Sequence, residues 1–441
     1  MTSEKIIKNY LIIAGLYTLS ASLIWGVNTL FLIDAGLQIF EVFLVNSIFT
    51  AAMALFEIPT GVLADTSGRR VSFLLSLVIL AFGTLGYVAV DWANGGLIWF
   101  GITSVILGLG FTFYSGAVEA WLVDALAATD FPGNLDRVFA RGGLVTGFAM
   151  LVGTIGGGLL GEISLAAPFL LRAALLFVLF VIALRGMHDI GYQPRAITLS
   201  DIPSEIQRVT KNSITFGWKN KSLRLIIVAG LIQSSFFAWA WYAWQPYFLE
   251  LLGREAIWVA GVIAALISLA IMAGNSIVEY LTRFCGRRTT MLLWAAAIFS
   301  IAMIGVGLTS SFWVAIFLLL LAMVASGVTT PVRQALIHRL IPSEQRATIV
   351  SFDSMVASGG SMVGQSSLGY IAQARSFGSG YFYGGLFTGL ISLVWLLFRA
   401  RNDASDFFAG QQAGEDAICA AQGLPSISAV DANPINSLIS E

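Results

Sequence analysis

Between Glu57 and Arg70 the chain reads E-I-P-T-G-V-L-A-D-T-S-G-R-R, and five of these residues can do electrostatic or packing work at a membrane boundary. Gly61 has no side chain, which lets a second helix approach closely. Asp65 is placed to accept hydrogen bonds from the start of a neighbouring helix, where free N–H groups and the dipole favour an anion. Gly68 permits a tight reversal, and Arg69 and Arg70 anchor the turn on one side of the bilayer. Together they make a conformational latch, although a short basic turn with an ordinary N-terminal cap uses the same residue types.

Ionisable groups inside apolar spans are costly and rarely idle. Counting from the segment ends puts Glu57, Glu119, Arg333 and Asp353 in the cytoplasmic half of the bilayer and Arg172 in the outer third of its span. Proton coupling needs a carboxylate whose pKa moves as its surroundings change between dry and wet. Glu57 and Glu119 are the first candidates, Asp353 the third, and Asp124 and Asp65, nearer the surface, suit gating. Glu119–Leu126 and Arg333–Leu340 are similar stretches, so Glu119 and Arg333 occupy corresponding positions. One reading pairs them across the inner mouth; local pairing of Glu119 with Arg69, Arg137 or Arg141 stays open.

Helical spacing also sketches a cavity wall. Tyr17, Trp25 and Asn28 share a face of the first apolar segment, and Ser104, Phe111, Ser115 and Glu119 share one in the fourth. Gln233, Phe237, Trp241 and Trp244 do the same in the seventh, and Ser326, Thr330 and Arg333 form a polar stripe in the tenth. Aromatic walls with few polar groups suit a bulky amphipathic ligand. For Trp244, Tyr247 and Phe248 the spacing favours an aromatic belt at the membrane surface instead.

The elements that must position these groups are apolar helices. Of 441 residues 57% are hydrophobic and only 11% charged, against about a quarter charged in a soluble globular chain. Formal net charge is −1, which gives no electrostatic footing for a nucleic-acid partner. Two cysteines and two histidines supply neither a disulfide framework nor a metal spacing, and no cofactor is implied. Apolar runs fall near 10–33, 41–66, 71–91, 97–126, 138–162, 166–187, 223–250, 255–282, 288–309, 312–340, 346–373 and 379–399. The first is too long for the core of a cleaved signal peptide and reads as a span. One set of connections with both termini carries twenty Lys and Arg, and the opposite set only Arg254 and Arg375, which places both termini in the cytoplasm.

The division that follows is a first bundle over 1–187, a linker over 188–222, a second bundle over 223–400 and a flexible tail over 401–441. Ile202, Ile206, Val209 and Phe216 give the linker the spacing of an amphipathic surface helix. In the fifth span Gly153, Gly157 and Gly161 make a smooth strip for close helix packing.

The spacing G-x-x-x-D-x-x-G-R-R over Gly61, Asp65, Gly68, Arg69 and Arg70 resembles the loop 2–3 signature of the major facilitator superfamily of secondary transporters. An echo follows the eighth span, where Gly286-Arg287-Arg288 survives but Arg283 stands in place of Asp65. The resemblance implies an all-α membrane protein with twelve transmembrane helices in two pseudo-symmetric six-helix bundles and a binding site between the halves. Ser115-Gly-Ala-Val-Glu-Ala-Trp-Leu-Val-Asp124, with Glu57-Ile-Pro-Thr-Gly61, resembles the branch of macrolide and tetracycline exporters. That branch implies proton-coupled export of an amphipathic small molecule by alternating access, by a monomer in a bacterial inner membrane. Two departures loosen the antiporter label: no proline lies between Val138 and Glu162, and Ser104 stands where proton–drug antiporters carry an arginine. Uptake or facilitated diffusion of a small solute or anion, with Arg333 and Arg172 as charge partners, is the alternative. An enzyme or channel fits less well, since the sequence holds no G-x-x-x-x-G-K loop, nucleophile–base pair or filter-like repeat.

Overall fold

A computed structural model describes residues 2–131, 133–192, 220–253, 256–341 and 346–408. Nearly all of them are helical: α1 Ser3–Ser22, α2 Asn28–Asp34, α3 Ile39–Ser67, α4 Arg69–Trp92, α5 Gly96–Tyr114, α6 Ala117–Ala127, α7 Leu135–Ile163 and α8 Ala167–Gly186. Then come α9 Lys221–Leu252, α10 Ile257–Thr282, α11 Arg288–Leu308, α12 Phe312–Leu340, α13 Arg346–Ala374 and α14 Phe377–Arg399. Each expected apolar segment coincides with one helix or with a broken pair. Among the described residues ten are long and apolar enough to cross a bilayer. The two outside that set are α1, which opens on Glu4, Lys5 and Lys8, and α13, which is rich in serine and glycine.

Two spans are broken where the sequence pattern suggested continuity. After α1 the hydroxyls of Ser20 and Ser22 donate back to the carbonyls of Tyr17 and Thr18, both at 2.7 Å, and Gly26 follows. Side chains that compete for helical carbonyls and a glycine both favour an interruption. Between α5 and α6 the chain turns through Gly116 at φ +70°, which takes Glu119 off the helical face that carries Phe111.

Large apolar side chains point outward along the helices, with Phe82 60%, Phe148 70%, Ile301 69% and Trp313 77% exposed. Water would penalise such faces; a hydrocarbon surround accommodates them. The chain is therefore an integral membrane protein. Trp92, Trp99, Trp258 and Trp313 are the exposed tryptophans near helix ends. Trp244, Tyr247 and Phe248, expected in the aromatic belt, are instead buried in protein. One reason is the buried Gln245 beside them, whose amide bonds hold this turn of α9 against the chain around Trp25 and Thr29.

The helices gather into two compact units. One comprises the described residues of Met1–Val209 with Phe237–Ser268 and Ser361–Gly380; the other comprises those of Thr210–Phe236, Leu269–Gly360 and Tyr381–Glu441. The first is centred on an aromatic cluster in which Phe31 meets Phe169 at 4.3 Å between centroids and Tyr87 meets Phe100 at 5.3 Å. In the second, Phe236 packs edge-on to Phe299 and Tyr381. The linker helix expected over Ile202–Phe216 lies outside the described residues, as does the expected tail from residue 409. Residues 402–408 are docked on the second unit, with Asp406 0% and Phe407 2% exposed.

The glycine strip of the fifth span packs directly on the end of α1. A Cβ on Gly157 would lie 1.8 Å from the Leu23 carbonyl oxygen, and one on Gly153 would lie 2.0 Å from Ser22 Oγ. Gly157→Ala is expected to cost about 1–3 kcal/mol by overpacking, measured as a lower unfolding temperature in detergent. Gly147→Ala, where a Cβ would meet nothing within 4 Å, should leave that temperature unchanged.

Candidate functional site

The first unit holds a cavity of about 340 Å³, at the low end of the size range of small-molecule sites. Of the residues expected there, Tyr17, Trp25, Asn28 and Phe111 line it. Trp25 and Asn28 reach it from the break and from α2, not from one continuous helix. The wall also holds Asn46 of α3, Tyr87 of α4, Tyr114 of α5, Phe169 and Arg172 of α8, and Tyr242 of α9. Tyr17 and Tyr114 stack at 3.6 Å between centroids, and Tyr87 shares a 2.6 Å hydrogen bond with Ser104.

The other expected wall residues lie elsewhere. Phe237 and Trp241 stack at 5.8 Å, and Trp241 meets Trp25 edge-on at 6.2 Å around a small neighbouring recess that includes Thr154 and Trp244. Ser115 is exposed and donates to Glu57 Oε1 at 3.3 Å. Gln233 and Thr330 belong to the second unit, where Thr330 is exposed and donates to the Ser326 carbonyl at 3.3 Å.

Part of the cavity wall, Ile24, Trp25 and Asn28, comes from the break in the first span and the start of α2. The break leaves the Trp25 carbonyl and the Thr29 N–H without helical partners. Gln245 supplies both: its Oε1 accepts from Thr29 N–H at 2.8 Å and its Nε2 donates to the Trp25 carbonyl at 2.8 Å. Thr29 Oγ1 donates to the Tyr242 carbonyl at 2.9 Å. Nearby, Gln373 accepts from Phe40 N–H and donates to Gln38 Oε1, and Glu162 accepts from Trp258 N–H at the start of α10.

At the opposite ends of these helices lies the expected latch. Gly68, at φ +104°, joins α3 to α4, and the first turn of α4 meets a carboxylate from the chain leaving α8. Asp189 Oδ1 accepts from Arg70 N–H at 2.9 Å, so close that a Cβ on Gly68 would fall 2.3 Å from Asp189 Oδ2. The Arg70 guanidinium donates to the Leu184 carbonyl at 2.7 Å, and Arg69 Nε stands 4.0 Å from Asp124 Oδ2. Trp121 Nε1 donates to the His188 carbonyl at 2.7 Å. The side chain of Asp65 lies outside the described residues. Gly61 borders open space, with nothing within 4 Å of a Cβ there. Glu57 and Glu119 are exposed.

The second unit repeats this capping at the echo of the signature. Asp406, fully buried, accepts from Thr289 N–H at 2.7 Å and from Thr289 Oγ1 at 2.6 Å, while Arg288 donates to the carbonyls of Ser405 and Phe407. In both units a carboxylate just beyond a helix end, α8 in the first and α14 in the second, caps the helix that opens on the arginines of Gly-Arg-Arg. Sequence reasoning missed Asp189 and Asp406; their one local signal is an acidic residue shortly after the sixth and twelfth spans. Arg333 is paired locally, donating from one guanidinium nitrogen to Asp353 Oδ1 at 2.5 Å and to the Ile226 carbonyl at 3.3 Å. Gly230 makes room for it, since a Cβ there would lie 2.2 Å from the guanidinium. Among the described residues no three His, Cys, Asp or Glu side chains cluster as metal ligands.

A family model described as Major Facilitator Superfamily matches residues 10–284 and 255–431. The Bacillus subtilis (strain 168) protein "Uncharacterized MFS-type transporter YxaM" is 23% identical over 226 residues, 50% of this chain and 53% of that protein. The chain thus spans about half the length of the curated relative it matches. Among solved structures, the nucleoside transporter NupG is similar at TM-score 0.73 and 10% identity, covering 89% of this chain and 99% of that one. A D-xylose-proton symporter is similar at TM-score 0.66 and 13% identity, covering 90% and 97%. A POT family transporter crystallised with 5-aminolevulinic acid is similar at TM-score 0.68 and 13% identity, covering 90% and 96%.

The caps can be tested singly. Asp189→Ala is expected to cost about 0.5–2 kcal/mol, the usual loss for an N-terminal cap. Asp406→Ala, which strands two buried donors, should cost about 1–3 kcal/mol. Unfolding temperatures should fall in that order, and Asp189→Asn, which keeps an acceptor, should stay near wild type.

Proposed function

The chain belongs to the Major Facilitator Superfamily, and from that footing we propose that it exports a compact amphipathic molecule by alternating access in exchange for protons. The observation that carries the substrate reading is the aromatic-walled cavity, in which tyrosine hydroxyls, Asn28, Asn46 and Arg172 are the main polar groups. Glu57 and Glu119 are the proposed proton carriers; both are exposed carboxylates on helices that also contribute to the latch. A carboxylate that alternates between wet and dry surroundings takes up and releases a proton. The six-and-six division over 1–187 and 223–400 is proposed as the mechanical division. The capping by Asp189 and Asp406 at corresponding places supports it. The skew of Lys and Arg supports cytoplasmic termini, and a bacterial inner membrane and monomeric function complete the proposal.

Uptake is the second reading. Arg172 in the cavity wall favours it as a site for an anion, and the nucleoside transporter and D-xylose–proton symporter that share this fold lend it support.

Proteoliposomes separate the two. With an acidic lumen, a panel of amphipathic dyes and antibiotics should include compounds that accumulate severalfold, and collapsing the pH gradient should abolish that accumulation. Glu119→Gln should remove the dependence on the gradient while downhill flux persists. Equal flux with and without a gradient would contradict proton exchange.

A further inference from the structure

Among the described residues Arg172 has no counter-charge. It stands in the second turn of α8, three residues after buried Phe169 and four before buried Leu176, on the inward face of that helix. The lipid-facing side of the same turns carries Leu170, Leu171, Phe177 and Val178, all exposed. A guanidinium seeking headgroups would extend from that outer side. Arg172 instead lines the cavity, and its Nε is enclosed without a hydrogen-bond partner.

The rest of the wall repeats the pattern. Among the described residues neither the Arg172 guanidinium nor the phenols of Tyr17, Tyr114 and Tyr242 have a hydrogen-bond partner, and no Asp or Glu lines the cavity. Arg333, by contrast, has Asp353 beside it. A permanently charged group in a cavity wall, with phenol donors beside it and among the described residues no acceptor of opposite charge, is an incomplete ion pair. The aromatic faces of Trp25, Phe49 and Phe111 complete the remaining wall.

We propose that the cavity binds an organic anion, a flat aromatic or similarly apolar body carrying one carboxylate, sulfonate or phosphate monoester, with Arg172 as its counter-ion and tyrosine hydroxyls as supporting donors. This rests on the transport reading above and narrows its substrate to one charge class. The same chemistry is offered by an anionic lipid headgroup, but a cavity of about 340 Å³ set inside the helices favours a compact free solute.

The test is binding to the purified full chain, followed by quenching of tryptophan fluorescence, with three probes of one shape: 2-naphthoate, 2-naphthamide and 2-naphthylmethylammonium. The wild type should bind naphthoate at least tenfold more tightly than either other probe. Arg172→Gln should weaken naphthoate binding at least tenfold and leave naphthamide unchanged, and Arg172→Lys should retain part of the preference. Substituting phosphatidylglycerol for phosphatidylcholine in the supporting bicelles should leave naphthoate affinity unaltered; competition by phosphatidylglycerol would assign the site to lipid and overturn the proposal. Equal binding of the three probes by wild type, or preference for the amide or the cation, would also overturn it, whether or not the variants fold. Dye transport in proteoliposomes reports separately. Charge-selective binding without any flux would defeat the transport reading while the site assignment stands, and flux with no naphthoate preference would do the reverse.

Discussion

The first unit depends on two hydrogen bonds from one side-chain amide. A transmembrane span that stops being helical between Ser22 and Asn28 exposes backbone groups that lipid cannot satisfy. Gln245, itself inaccessible to solvent, meets the Thr29 N–H with its oxygen and the Trp25 carbonyl with its nitrogen. The amide is suited to this because it carries a donor and an acceptor on one plane, which neither a carboxylate nor an ammonium offers. By keeping the break intact it also keeps Ile24, Trp25 and Asn28 turned into the cavity wall. On the far side the carbonyl of Leu23 rests against Gly157, so the break is clamped between an amide and a bare glycine.

At the other end of the helices the governing constraint is the unsatisfied first turn. The fold meets it twice with a carboxylate from the chain leaving a later helix, Asp189 after α8 for α4 and Asp406 after α14 for the start of α11. The arrangement ties the Gly-Arg-Arg turns to chain segments that sequence inspection reads as mere connections. In the first unit that tie brings Arg70, Leu184, His188 and Trp121 into one hydrogen-bonded group beside the Arg69–Asp124 pair. Displacing residues 187–191 would therefore disturb the latch as directly as a substitution within the signature. That is a property of the packing, visible only once the segment is seen beside the turn.

Much of the architecture was legible in advance because membrane spans obey a local rule. About twenty apolar residues make a span, and turn residues separate one from the next. The turn at Gly68-Arg69-Arg70 was legible because its residues are adjacent in sequence. Four cavity residues, Tyr17, Trp25, Asn28 and Phe111, were found from helical spacing, even though two of them reach the wall through a break. Asn46, Tyr87, Tyr114 and Tyr242 were missed because an uncharged residue in an apolar run gives no sign of which neighbour it faces. Trp244, Tyr247 and Phe248 read as belt residues because end-of-span aromatics usually are. Their burial is set by Gln245 binding a segment more than two hundred positions away. Arg172 stood out by charge alone, but only the packing of α8 turns it inward.

The Gln245 amide, on this geometry, holds the broken first span in place and so shapes the cavity. Hydrogen–deuterium exchange in lipid nanodiscs tests it directly, comparing wild type with Gln245→Leu, a substitution of similar size that cannot bond. The amides of residues 24–31 should exchange slowly in wild type and at least tenfold faster in the variant. The amides of residues 70–76, at the latch, should exchange alike in both. Unchanged protection over 24–31 in the variant would mean that Gln245 does not hold the break.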